Sequence, residues 1–256
     1  MKKMLQQIYM AIVYILLYFP LIILILYSVN QAKFSLLWHG FSFHWYHELF
    51  LDADLWSAFF HSIFLGVTAS AIATGMGLIA CLHFFISGAR DKSSFYTLLL
   101  LLIILPDLVL GIALLLFFNI TGIPLGFFSL LIAHITFCLP FIIITISSRI
   151  HTLDTNLYHS ALDLGASKRK AIMLILLPLL WPAILSAFLL SFTLSFDDVI
   201  ISYFVAGPDF SILSLTIYSL VRSGVTPELN ALCTITFMIS MLLVIIAHRA
   251  SRKSTS

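Results

Sequence analysis

Six stretches of this chain are apolar over about the 20 residues that a helix needs to cross the hydrocarbon core of a bilayer. They run from Ile8 to Tyr27, Phe59 to Ile86, Phe95 to Phe118, Phe127 to Ser147, Leu179 to Ser202 and Leu229 to Ala247. Their length favours helices over buried strands, and a transmembrane barrel would show alternating segments of about 10 residues instead. The chain is 61% hydrophobic and 9% charged, against about 25% charged in a soluble domain. The apolar residues outnumber what a soluble core can hide. The sequence predicts an all-α integral membrane protein with six transmembrane helices.

The basic residues orient these helices. Six spans place Lys2, Lys3, Arg90, Lys92, Arg149, Lys168, Arg169, Lys170, Arg249, Arg252 and Lys253 on one side, and only Lys33 and Arg222 on the other. By the positive-inside rule the first side is cytoplasmic and holds both termini. A missed helix would scramble so lopsided a split. The net charge of +2 is therefore topological, and no nucleic-acid surface is indicated. The first apolar stretch exceeds the 7–15 residues of a signal peptide core and precedes no Ala-x-Ala site, so it reads as a retained anchor.

Three parts follow. Residues 1–56 hold the first helix and an outer loop rich in aromatics and His. Residues 57–248 hold the other helices and the longest inner segment, at about 149–177. Residues 249–256 form a cytoplasmic tail. On the second span Ala69, Ala73 and Gly77 form one small-residue face, with Gly66, Ser70 and Thr74 beside it, which lets helices approach closely in lipid. The segment "FSILSLTIYSLVRSG" is too short to span and is placed at the interface. Cys81, Cys138 and Cys233 lie in apolar spans and read as buried small hydrophobes.

The inner segment carries the most specific pattern, "HSALDLGASKRKAIMLILLPLLWPAI" from His159 to Ile184. Leu157 to Leu164 suit a short helix that stops on Gly165 in the left-handed conformation. Ser167 is placed to cap a second helix. Pro178 and Pro182 are expected to break or bend the start of the fifth span. The product is a helix–turn–helix knob in the cytosol, its small Ala residues allowing a partner to come close. Ala161, Leu164, Gly165, Ala166 and Ser167, followed by Leu177, Pro178 and Pro182, resemble the "EAA" loop of ATP-binding-cassette importer permeases. The resemblance implies a type I importer permease fold and a coupling helix, residues His159, Ala161, Leu164, Gly165, Ala166 and Ser167, that docks on a cytoplasmic ATPase. The Glu that names the motif is His159 here, and the Ala after it is Ser160. No phosphate loop of the Gly-x-x-x-x-Gly-Lys-Ser/Thr type occurs in the chain, so no cofactor is expected and ATP falls to a partner subunit.

The segments "SFTLSFDDVIISYFVAGP", "PDLVLGIALLLFF", "LGFFSLLIAHITFCLPF", "IYSLVRSGVTPELNAL" and "FSFHWYHELF" further resemble permeases of spermidine/putrescine importers, of the C-subunit type. That implies a second, homologous permease chain, two copies of the ATPase and an extracytoplasmic polyamine-binding protein. The chemistry fits. A polyamine needs carboxylates for its ammonium groups and aromatic faces for its methylenes. Ionisable residues in membrane helices are costly and are functional candidates by default. Asp107 lies 12 residues into the third span, about 18 Å along a helix, hence near mid-membrane, beside Pro106, which loosens the helix there. The 26 residues from Ala171 to Phe196 carry no charge, and then Asp197 and Asp198 stand together. Neighbours on a helix point about 100° apart, so one of the two faces the pathway and the other an interhelical partner or water; the pair also suits an interfacial cap for a following turn. Trp45 on the outer loop is the aromatic candidate; it also suits a belt at the headgroups.

Other readings use the same residues. Carboxylates serve ferric iron as well as polyamines, and thiamine is a further cargo for this kind of permease. A haem-binding subunit would pair His61, His83 or His134 at one depth, and the sequence offers no such pair. His39, His44 and His47 match no metal-ligand spacing, and no metal site is expected. No Gly-x-Ser-x-Gly or His-Glu-x-x-His occurs, against a membrane hydrolase.

Overall fold

The computed structural model describes residues 2–32, 37–87, 92–224, 226–238 and 241. The tail 249–256 and residues 239, 240 and 242–247 of the sixth apolar stretch lie outside them, as does most of the inner loop Gly88–Ser94. The helices are α1 (Lys2–Ser28), α2 (His44–Leu51), α3 (Ala53–Ser87), α4 (Lys92–Ile104), α5 (Asp107–Thr121), α6 (Phe127–Ile150), α7 (Thr155–Asp163), α8 (Lys168–Ala171), α9 (Leu177–Asp197), α10 (Ile200–Val205) and α11 (Leu213–Ser223). Residues 227–238 are helical as well. Among the described residues there is no strand, and one isolated bridge joins Asn30 to Phe41.

Four continuous helical stretches are long and apolar enough to cross a membrane: Met4–Ser28, Ala53–Ser87, Phe127–Ile150 and Lys168–Asp197. A fifth candidate is the pair α4 and α5, which bend by 104°. The chain is a multi-pass membrane protein. By contacts it divides into two units, Met1–Trp56 with Thr216–Ser256, and Ser57–Leu215.

In the first unit, α1 is apolar all round from Ile8 to Tyr27 and exposes nearly all its length, as suits a helix facing lipid or another chain. The loop after it folds onto its end. The Asn30 amide donates to Leu37 O at 2.7 Å and accepts from His39 N at 3.0 Å. The Tyr46 hydroxyl lies 2.7 Å from Ser28 Oγ.

In the second unit, α6 packs along α9, and α10 packs on α5 and α6. The small-residue face of α3 works as expected. Ala69 and Ala73 are fully buried, and a Cβ on Gly77 would sit 2.6 Å from Ile142 Cγ2. Gly111 does the same for α5: a Cβ there would meet the Phe204 ring at 2.8 Å and Ile201 Cα at 3.3 Å. Two cores result. One centres on Cys138, Ile142, Ile143 and Ile146 of α6 with Leu180 and Ala187 of α9. The other centres on Leu110, Leu114 and Phe118 of α5 with Ile201 and Val205 of α10.

Two spans differ from the sequence expectation. The third span is not one straight helix. Pro106 has no N–H to continue α4 and disfavours the helical conformation at Leu105; its own ψ of 135° is extended, and α5 restarts from its carbonyl through Val109 N at 2.9 Å. The helix that carries the fifth span begins earlier, at Lys168, and ends at Asp197 instead of Ser202. Pro178 and Pro182 do not interrupt it. A π-helical turn, Ile172–Leu176, precedes Pro178, widening the helix where the ring would meet the preceding carbonyls.

Candidate functional site

The break in the third span and the end of the fifth meet. Asp107, the first residue of α5, lines a cavity of about 370 Å³ together with Asp197, Asp198, Thr193, Leu194 and Phe137. Ninety residues separate Asp107 from Asp197 in sequence; the pairing of α5 with α10 and of α6 with α9 brings them together. Asp107 is half-buried and Asp197 exposed. Asp107 thus stands at an elbow with backbone N–H groups at its back, where a first-turn carboxylate is favoured by the helix dipole. The loosening expected beside Pro106 is here a 104° bend between α4 and α5.

Asp198 has a different environment. It is 9% exposed. Its Oδ1 accepts from Ile201 N at 3.2 Å, and its Oδ2 accepts from Ser202 N at 2.8 Å and from the Ser202 hydroxyl at 2.7 Å. These bonds take the place of the backbone bonds that the first turn of α10 lacks. They are why the fifth span stops at Asp197: a carboxylate that captures the N–H groups three and four residues on competes with helix continuation. The Asp198 carbonyl, freed by the break, accepts from Ser214 Oγ at 2.7 Å. Both carboxylates border the cavity, but Asp197 is exposed while the oxygens of Asp198 are held by the first turn of α10.

Behind Asp198 lies His134 of α6, 1% exposed. Its Nδ1 is 2.6 Å from Ser195 Oγ, its Nε2 is 3.0 Å from Ser202 Oγ, and its Nε2 is 3.8 Å from Asp198 Oδ2. Both ring nitrogens are engaged, which leaves none for a haem iron. The sequence reading noted His134 only in that connection and missed Ser195 and Ser202. Their signal was present: hydroxyls three residues before and four after a carboxylate lie on its face of a helix.

Trp45 belongs to the first unit. Its indole N–H donates to Asn30 O at 2.9 Å, tying α2 to the end of α1. A smaller cavity of about 170 Å³, bordered by Cys81, Tyr96 and Ser147, has no carboxylate on its wall.

The helix–turn–helix knob forms as the pattern indicated. Asp154 caps α7 by accepting from Asn156 N at 2.9 Å. Gly165 has φ of +88°, which only glycine adopts without strain. It closes the helix with paired bonds, Ala166 N to Ala161 O at 3.0 Å and Gly165 N to Leu162 O at 2.9 Å, the Schellman arrangement. Ser167 then caps α8 by accepting from Lys170 N at 3.4 Å. The alanines, however, do not face outward. Ala161 and Ala171 join Tyr158 and Leu176 in a buried cluster against Leu82, Phe85 and Ile86 of α3, with Ala166 packed at its edge. The free face is His159, Ser160, Asp163 and Leu164, the last 89% exposed.

Helices long and apolar enough to cross a membrane, a carboxylate-lined cavity where one span bends and another ends, and a capped helix–turn–helix suit a transport subunit. Residues 73–255 match the family of binding-protein-dependent transport system inner membrane components, and the chain belongs to that family. It is 42% identical over 250 residues to the spermidine/putrescine transport system permease protein PotC of Haemophilus influenzae, covering 98% of this chain and 97% of that one. It is 41% identical over 253 residues to PotC of Escherichia coli, covering 99% and 96%. The putrescine transport system permease protein PotI of Escherichia coli is 37% identical over 226 residues, covering 86% and 80%. A chain of a bacterial ABC transporter involved in the import of the acidic polysaccharide alginate shares the fold, with a TM-score of 0.73 at 15% identity over 96% of this chain and 95% of that one.

Proposed function

We propose that this chain is the permease subunit of an ATP-driven polyamine importer, carrying spermidine or putrescine. The observation that carries this reading is the convergence of Asp107 and Asp197 on one cavity, in a chain with near full-length similarity to permeases named for those cargoes. Two carboxylates separated by apolar and aromatic wall suit a cation made of ammonium groups joined by methylenes. Phe137 supplies a ring face for them. Asp107 and Asp197 meet the ammonium groups, and Asp198 shapes the wall.

In this reading the chain has six spans with both termini in the cytoplasm of a bacterial inner membrane. The division into a first helix with outer loop (1–56), a transport domain (57–248) and a tail (249–256) follows. A second, homologous permease chain completes the path, and two ATPase subunits dock on the knobs at His159–Ser167. An extracytoplasmic binding protein delivers the cargo, and Trp45 borders its route. This chain holds no cofactor and makes no covalent bond. ATP binding closes the ATPase pair, the knobs move, and the cavity is offered to the outside, a shift between two states biased by the nucleotide.

Reconstitution with the partner subunits tests this. Loaded binding protein is expected to stimulate ATP hydrolysis and drive uptake of labelled spermidine. Uptake of ferric iron or thiamine in place of spermidine would assign the cavity to another cargo.

A further inference from the structure

We infer that His134 is a positioning residue for transport: it fixes the joint between α9 and α10 and so aims Asp197 into the cavity, without touching the cargo. This rests on the cavity reading above. The hydrogen bonds have a direction. Ser202 has one hydroxyl proton, and it goes to Asp198 Oδ2 at 2.7 Å. Its oxygen must then accept from His134 at 3.0 Å, so Nε2 carries a proton. In the neutral ring Nδ1 is the acceptor, and Ser195 donates to it at 2.6 Å. The chain Ser195 to His134 to Ser202 to Asp198 thus runs one way. It ties the last turn of α9 to the first turn of α10 through a third helix, α6.

All four members are buried, so water cannot replace a missing link at low cost. The joint they hold is a two-residue break, Asp198–Val199, with ψ of 126° at Asp198. Asp197 is the residue immediately before it. Rotation by a single residue position swings a side chain by about 100°, enough to turn the Asp197 carboxylate off the cavity wall. His134 is therefore linked to the cargo only through the geometry of the joint.

The test uses the full chain reconstituted with its partner subunits and measures spermidine moved per ATP hydrolysed. A folding defect lowers both quantities, whereas a misplaced Asp197 lowers only the ratio. His134→Phe removes both polar links and is expected to lower the ratio by about 10-fold to 100-fold, the range for a small misplacement of a binding group. Stimulated ATP hydrolysis should persist. His134→Gln puts an N–H near the Nε2 position and is expected to restore the ratio to within about three-fold of the unaltered chain, under 1 kcal/mol on the scale where tenfold is 1.4. A normal ratio in His134→Phe, or a loss in His134→Gln as deep as in His134→Phe, overturns the inference. Should the Phe chain fail to assemble, Ser202→Ala decides by the same ratio: lowered supports it, unchanged overturns it. Asp197→Asn separates the two levels. Normal transport in Asp197→Asn removes the cavity reading and the positioning role with it; a defect there beside a normal His134→Phe removes the positioning role alone.

Discussion

The carboxylate of Asp198 closes on the backbone N–H of Ser202 at 2.8 Å, while its sequence neighbour Asp197 remains exposed at the cavity. Substitution should separate the two. Asp197→Asn is expected to cut polyamine uptake at least several-fold with normal levels of assembled complex. Asp198→Ala is expected to lower the melting temperature of the purified complex. Loss of a cap costs about 0.5–2 kcal/mol, and leaving the Ser202 N–H buried adds to it. Equal melting temperatures for the two variants would contradict the division of roles.

Asp107 owes its place to Pro106. Pro106→Ala restores the missing N–H and relieves Leu105, so α4 and α5 are expected to straighten and carry Asp107 away from Asp197. Uptake should fall toward that of Asp107→Asn, with assembly intact in both. Cysteines placed at positions 107 and 197 report the distance directly. Cross-linking by a short reagent should be efficient when Pro106 is kept and weak when Pro106→Ala is added. Unchanged cross-linking would mean that the bend does not depend on the proline.

At the knob, Gly165 at φ +88° admits no side chain without strain of roughly 1–2 kcal/mol. Gly165→Val should unseat the bonds from Ala166 N and Gly165 N that close α7. The expected result is ATP hydrolysis no longer tied to uptake, read as basal hydrolysis that loaded binding protein fails to stimulate. Normal stimulation would argue against the knob as the coupling element.

Much of this was legible because it rests on local rules. The apolar lengths announce the spans, Gly165 announces the end of α7, and Ser167 announces the cap of α8. What escaped was non-local or competitive. Pro106 announced a loosened helix beside Asp107 but not the size of the bend, 104°, which depends on what α4 and α5 pack against. Helix geometry allowed only one of Asp197 and Asp198 to face the cargo and left open which; whether a carboxylate faces a cavity or captures its own backbone depends on where the helix breaks. The spacing of Ser195 and Ser202 about Asp198 pointed to one another but not to His134, which they reach only after α6 packs along α9 and α10. The orientation of the knob's alanines likewise depends on the inner end of α3, some 80 residues away in sequence.

That orientation yields the sharpest contrast at the knob. Leu164 is 89% exposed and Ala161 is 9% exposed, three residues apart on the same short segment. If the ATPase docks on the outward face, Leu164→Asp loses apolar contact with it and puts a charge there, while nothing within this chain is disturbed. The expected outcome is weaker copurification of the ATPase with an unchanged melting temperature of the permease. Ala161→Leu does the opposite. Its added carbons must enter the cluster of Tyr158, Ala171 and Leu176 against α3, and overpacking of this kind costs about 1–3 kcal/mol. The permease should then melt earlier, and ATPase binding should suffer only as far as the knob is displaced. The reverse pattern, with Leu164→Asp destabilising and Ala161→Leu selectively losing the ATPase, would show that the alanines face the partner after all.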